Sequence, residues 1–222
     1  MLHSPKTRDA KNIEDPSLVP VGAKDRDLVA RKHAQIVQGA CRVFFVKGFH
    51  RTSVREIALA CGMSRGQLYH YISSKDDVLF LVYQHMQALW RRHLEVVGLQ
   101  GIEDPKRCLA LALAGTLEFI ERNHDLFLFV YTETKYLERR HLKAVLASDD
   151  QGVVGFWREL LAQVRPGLDS DLAANLISFL VVFPVLRGWN LDPARRAEHL
   201  EQIVEFIFRG LGLPAPGEGG TS

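Results

Sequence analysis

The sequence predicts an all-α protein, a small N-terminal three-helix domain followed by a larger helical one, and three features carry that prediction. Apolar residues recur at three- to four-residue spacing through the long segments between residues 25 and 211, which is the period of one helix face. Helix-start signals punctuate the chain: Ser53 with Glu56 and Ser64 with Gln67 are spaced as capping boxes, and Ser74 with Asp77 opens a third helix. In such a box a hydroxyl covers one free N–H and the acid or amide three residues on covers another. No run alternates apolar and polar residues in the way a half-buried strand does.

Taken in order, residues 1–23 mix charges with Pro5, Pro16 and Pro20 without periodicity and are expected to form a flexible arm. The first helix is predicted over about 25–47, with Val29, His33, Ile36, Val37, Ala40 and Phe44 on one face and Gly48 ending it. Residues 51–78 then read as two short helices and the opening of a third. Val54, Ile57 and Ala58 form the inner face of the first, Gly62 supplies a left-handed turn residue, and Arg65–Tyr69 forms the second. Short helix, glycine turn, short helix is the helix-turn-helix arrangement, whose second helix enters the major groove of DNA.

The third helix is predicted to run on to Val97, its apolar residues split between faces as suits an element touching two domains. Asp104-Pro105 starts a nearly all-apolar helix ending near Arg122, expected to be buried on most sides. A turn at 123–125 precedes a short helix over 126–131. The helix predicted over about 137–164 contains Gly152 and Gly155, which point to a bend or a close neighbour. Two last helices, about 169–187 and 193–211, are too apolar for one core and are expected to build a four-helix homodimer interface. Residues 212–222 are Gly/Pro-rich and are expected to be disordered.

Composition narrows the function. With 47% hydrophobic and 24% charged residues over 222 positions, the chain is a soluble globular type with ample material for a core. Its net charge of +2 is unevenly spread: residues 24–75 hold ten Lys/Arg against three Asp/Glu, a surplus of +7 that leaves −5 for the rest. A basic N-terminal third is the electrostatic footprint of a nucleic-acid partner, although a merely solvated surface gives the same count. Cys41, Cys61 and Cys108 are widely spaced without a CxxC pair and read as reduced, small apolar residues of a cytoplasmic protein. No signal-peptide core is visible, and the apolar run 172–186, which carries Asn175, Ser178 and Pro184, is too short to span a bilayer. No membrane partner is expected.

Ile36, Ala40, Phe44, Gly48-Phe49, Thr52-Ser53-Val54, Ile57-Ala58, Ala60, Gly62, Ser64, Gly66, Leu68-Tyr69 and Ser74-Lys75 all fall in register with one pattern. Over about residues 30–80 the chain resembles the DNA-binding domain of the tetracycline-repressor (TetR) family. Ile72 stands where that family usually has Phe, and Cys61 and Met63 flank a glycine more often set between Ala and Val. These replacements are apolar or small and bear on packing alone. The resemblance implies a helix-turn-helix DNA-binding domain over 24–80, a C-terminal helical ligand-binding and dimerisation domain over 81–211, and a dimer on a palindromic double-stranded DNA operator.

On that reading the DNA-contacting residues are Thr52, Ser53, Arg55, Ser64, Arg65, Gly66, Gln67, Tyr69, His70, Tyr71 and Lys75. Arg65 and Gln67, in the first exposed turn of the recognition helix, are expected at base edges, and Thr52, Ser53, Tyr69, Tyr71 and Lys75 beside phosphates. Gly66 leaves room for close backbone approach. In the larger domain Phe119, Phe127, Tyr131, Trp157 and Phe183 are candidates to line an apolar effector pocket between helices. Residues 131–141 resemble, more weakly, the TetR subgroup that represses fatty-acid or acyl-CoA catabolism. That resemblance implies an acyl-CoA effector whose phosphates meet Arg139 and Arg140, beside Lys135 and Lys143; a solvated basic helix start fits the same residues.

Chemistry of other kinds lacks its residues. The nine histidines include no His-x3-His pair and no His/Cys cluster of ligand spacing, and no GxSxG, phosphate loop or kinase signature occurs. No metal, cofactor or enzymatic activity is therefore expected. The function expected is a ligand-responsive transcriptional regulator, most simply a repressor released by a small apolar effector. The alternative is a non-enzymatic ligand sensor or scaffold whose helix-turn-helix no longer reads DNA.

Overall fold

The structure, a computed structural model, describes residues 26–217, and every regular element among them is helical. The ten α-helices are α1 (Arg26–Lys47), α2 (Val54–Ala60), α3 (Arg65–Tyr69), α4 (Lys75–Val97), α5 (Pro105–Arg122), α6 (His124–Glu133), α7 (Arg139–Asp149), α8 (Gly155–Val164), α9 (Ser170–Arg187) and α10 (Arg196–Gly210). The arm expected over 1–23 and the last residues 218–222 lie outside the described residues.

The described chain divides into two compact units, residues 26–88 with 125–148, and residues 89–124 with 149–217. In the first, Ile36, Ala40 and Phe44 of α1 meet Ile57 of α2 and Leu68 of α3, all at or near zero exposure. Gly39 lets the turn after α2 close on α1, since a Cβ there would lie 2.4 Å from Cys61 Sγ and 2.9 Å from its backbone nitrogen. Phe44 stacks on Phe129 of α6 at 5.0 Å, so α6 packs on the three-helix bundle. The compact unit holding the helix-turn-helix thus runs to residue 88 and takes in residues 125–148.

In the second unit α5 is the central element, packed against α8, α9 and α10. Leu109, Leu113, Leu117 and Ile120 of α5 are buried with Trp157 and Leu161 of α8 and with Ile177 and Val181 of α9. The helix expected over 137–164 is interrupted as its glycines suggest, by a π segment, Asp150–Val154. Arg158 is tied there to Asp150 at 2.9 Å and to Asp171. A Cβ at Gly155 would stand 3.1 Å from the Asp150 carbonyl, so the wider turn is built around a missing side chain.

Two expectations need correction. Residues 212–217 are not disordered: Gly212 adopts φ +68, Leu213 N–H donates to the Phe208 carbonyl at 2.9 Å, and Ala215 is buried. This is a glycine helix terminus, in which a left-handed residue lets the chain turn back on free carbonyls. The apolar run 172–186 also sits within a longer element, because Ser170–Asn190 is long and apolar enough to cross a membrane by length and composition. A third of its most apolar stretch is buried within the chain, and helices that pack on protein reach the same length and apolarity.

The close approach at Gly39 yields a stability prediction. Gly39→Ala should destabilise the protein by about 1–3 kcal/mol, the usual cost of overpacking, because the nearest atoms include backbone that cannot swing away. A denaturant titration that finds Gly39→Ala as stable as the native chain would show that the α1–α2 contact relaxes freely.

Candidate nucleic-acid interface

A five-residue helix has almost no stability of its own, so α3 is held by its surroundings. At its start Ser64 Oγ accepts from Gln67 N–H at 3.1 Å while Gln67 Oε1 accepts from Ser64 N–H at 2.8 Å. The same reciprocal box opens α2 through Ser53 and Glu56. Lys47 pairs with Glu56, and that contact, with the cap, holds the Glu56 carboxyl down at about 2. Between the helices Gly62 takes φ +65. The free carbonyls at the end of α2 are met from α1, Gln35 Nε2 donating to Cys61 at 2.6 Å and Arg42 to Ala60. Leu68, fully buried, anchors the inner side of α3.

The exit from α3 is pinned twice. His33 Nε2 lies 3.0 Å from the Tyr71 carbonyl. A carbonyl only accepts, so this nitrogen carries the proton, and burial pushes His33 below the ordinary histidine value, favouring the neutral ring. Just after Tyr71, the N–H groups of Ser73 and Ser74 donate to Asp77 Oδ2 at 2.6 Å and 3.0 Å.

What this scaffold presents is a short polar ridge. Arg65, Gly66, Gln67, Tyr69 and His70 are exposed, as are Ser53, Arg55 and Ser64, and Tyr71 is half-buried. Arg65 and Arg55 have no hydrogen-bond or ion-pair partner among the described residues. A Cβ at Gly66 would meet nothing closer than Ser64 Oγ at 3.9 Å, so its surface is open for a groove wall. Gln67 is less free than its exposure suggests, since Oε1 belongs to the cap.

Two expected phosphate contacts are occupied elsewhere. Thr52 is buried and its hydroxyl donates to the Gly48 carbonyl at 2.8 Å. Lys75 Nζ donates to the carbonyls of Phe49 at 2.8 Å and Thr52 at 3.0 Å, approaches that of His50 at 3.4 Å, and sits 4.3 Å from the centre of the Phe49 ring. An ammonium has three N–H donors, and here the α1–α2 corner uses them. Both residues shape the reader from behind. Nothing in the sequence marked Asp77 as more than a helix-start acid, yet it also receives Arg140 Nη2 at 3.0 Å and His141 Nε2 at 3.3 Å on its other oxygen.

The candidate effector residues are dispersed. Phe127 and Tyr131 stack at 6.5 Å in one unit, Tyr131 partly exposed. Phe119 and Trp157 are core residues of the other, Phe119 stacked on His93 at 5.0 Å and Trp157 fully enclosed with its Nε1 unpaired. Phe183 lines a groove of about 250 Å³ with Leu180, Leu191, His199, Ile203 and Phe206. Arg140 is committed to Asp77 and Glu138, whereas Arg139 is exposed. Among the described residues no group of three or more His, Cys, Asp or Glu could hold a metal ion.

Comparison with known proteins agrees with this geometry. Residues 36–82 match the family model described as bacterial regulatory proteins, tetR family. The chain is 27% identical over 202 residues to the HTH-type transcriptional regulator HbdR of Aromatoleum sp. (strain CIB), covering 86% of this chain and 87% of that one. Among solved structures, AibR in complex with isovaleryl coenzyme A and operator DNA superposes with a TM-score of 0.64 at 22% identity, over 83% of this chain and 98% of that one. FadR from Bacillus subtilis in complex with stearoyl-CoA gives 0.60 at 23%, over 77% and 97%. At these identities the structural likeness establishes the fold.

The two residues of the first turn should differ in what they contribute. Arg65→Ala should cost about 1–3 kcal/mol of duplex binding and relax preference at one base pair, the value of a good bidentate contact. Gln67→Ala should act chiefly on stability, by about 0.5–2 kcal/mol, because it removes a cap. Binding to a panel of single-base-substituted duplexes, with thermal melts in parallel, checks both; unchanged base preference in Arg65→Ala would remove this residue from base reading.

Proposed function

We propose that residues 36–82, which match the tetR family model, form a DNA-binding domain and that the chain is a cytoplasmic, ligand-responsive transcriptional repressor that binds a palindromic operator as a homodimer. The observation that carries the reading is the exposed α3, bound at both ends and presenting Arg65 beside an open Gly66. A scaffold that had ceased to read DNA needs no such ridge. Affinity comes mainly from phosphates neutralised by the basic segment, and sequence choice from α3. The reader is assigned to residues 24–80 and the ligand-binding and dimerisation body to 81–211. The reading involves no catalysis.

Dimerisation is assigned to α9 and α10. Leu172, Leu176, Phe179 and Phe206 are each more than half exposed, and with the groove beside Phe206 they form an apolar face. Faces of this kind are covered in soluble proteins, and a symmetric pair of two-helix faces makes a four-helix interface. The apolar length of α9 is explained in the same way, without a bilayer.

An acyl-CoA is the effector class best supported. AibR binds isovaleryl coenzyme A and FadR of Bacillus subtilis stearoyl-CoA, both proteins sharing this fold. The acyl chain suits an apolar helical body, and the exposed Arg139 offers a guanidinium to phosphate. By linkage the ligand weakens DNA binding only as far as it prefers the state whose recognition helices miss the half-site spacing, about 34–36 Å on B-DNA.

Two measurements test these assignments. Calorimetry across an acyl series should show affinity rising with chain length, at up to ~0.8 kcal/mol per buried methylene, together with operator release and no comparable effect of free CoA. Binding at no chain length would eliminate the thioester effector and leave the repressor. Separately, Phe206→Asp should shift the protein from dimer to monomer in light scattering and abolish full-operator binding; an unchanged dimer would place the interface elsewhere.

A further inference from the structure

The start of α7 breaks a local rule. Its first residues are Arg139, Arg140 and His141, three bases at the positive end of a helix dipole, where acids are favoured and cations are not. The compensation comes from the start of α4. Asp77, fully buried, receives Arg140 Nη2 at 3.0 Å and His141 Nε2 at 3.3 Å on Oδ1, and Asp76 Oδ1 accepts Glu138 N–H at 3.3 Å. His141 is itself fully buried and stacked on Phe80 at 4.7 Å, while Arg140 is about half exposed and also meets Glu138.

The other oxygen of the same carboxylate accepts Ser73 N–H and Ser74 N–H, the backbone by which the chain leaves α3 and enters α4. One carboxylate therefore has the exit of α3 on one side and the first turn of α7 on the other. It can hold the turn as a buried anion only while a cation and a donor face it, since a buried charge stripped of its partner is strongly disfavoured. A displaced Arg140 would leave Asp77 to turn outward toward another donor, which takes away the acceptor that Ser73 and Ser74 share.

We infer that Arg140 and His141 are positioning residues for operator recognition: acting through Asp77, they hold the turn that sets α3 in place, without touching DNA. The inference rests on the DNA-binding reading and adds to it a second element, α7, on which the register of the recognition helix depends. Neither residue belongs to the exposed ridge, and Arg140 meets carboxylates of its own chain where the resemblance implies an effector phosphate.

The experiment measures binding of a fluorescent operator duplex to the full chain over a salt series, for the native protein, Arg140→Ala, Arg140→Lys, Asp77→Asn and the Arg140→Ala/Asp77→Asn pair. Circular dichroism fixes the folded fraction of each. Arg140→Ala and Asp77→Asn are each expected to weaken binding on the order of tenfold, the scale of coupling carried through a packed polar network. The dependence on salt and the base preference should stay native, Arg140→Lys should recover most of the loss, and the double variant should be little weaker than the worse single one. A salt slope shallower by about one unit in Arg140→Ala would make this residue a direct phosphate contact and overturn the inference. Unchanged affinity in both single variants, or fully additive losses, would overturn it equally. Should Asp77→Asn not fold, His141→Phe, which keeps the stack on Phe80 and removes the donor, takes its place in the cycle. A native chain that binds no duplex would overturn the DNA-reading premise itself, a result distinct from native-like variants.

Discussion

Asp77 is a carboxylate with no access to water, surrounded by four donors from two parts of the chain, the turn before α4 and the start of α7. Burying an anion is tolerable only when its lone pairs are filled and its charge is met, and each of the donors here is also something the carboxylate constrains. Ser73 and Ser74 fix where α3 ends, the first turn of α4 gains an acid at its positive end, and α7 gains the counter-charge that its own basic start lacks. These placements follow from satisfying one group.

The recognition helix shows the same economy at smaller scale. Five residues cannot form a stable helix alone, so polar groups at both ends of α3 are shared with neighbours: Gln67 with the backbone of Ser64, Tyr71 with His33, Cys61 with Gln35. The consequence for function is selectivity about which side chains remain free. Arg65 does; Gln67 is half committed; Lys75 and Thr52 are spent on the corner between α1 and α2. A rigid reader is obtained by using up polar groups that would otherwise have been available to DNA.

The second unit follows a different logic. Its central helix α5 is covered on most sides, and burial accounts for Leu109, Leu113, Leu117 and Ile120 without any special chemistry. The excess apolar surface appears on α9 and α10 instead, where Phe179 and Phe206 stand more than half exposed. Exposure of that kind suits coverage by another surface, and the proposed second copy of the chain would supply it.

Whatever depends on residues three or four apart was legible in the sequence. The two capping boxes, the bounds of α3, the glycine turn at Gly62, the interruption near Gly152 and the amphipathic faces of α1 and α10 are local, because hydrogen bonds and helix faces repeat over that distance. The register of the helix-turn-helix followed from them. What only the tertiary structure decided was the state of each polar or aromatic side chain after folding. Lys75 has the chemistry of a phosphate contact, but carbonyls more than twenty residues away claim its donors; Arg140 has the chemistry of an anion site, but Asp77, sixty-three residues away, is the anion it meets. Phe119, Phe127, Trp157 and Phe183 share an apolar pattern, yet whether two of them face one space depends on which helices pack together. Periodicity assigns a side chain to the inside of its own helix, whereas a partner or a cavity is a property of two elements brought together by packing, and a one-dimensional pattern does not record that.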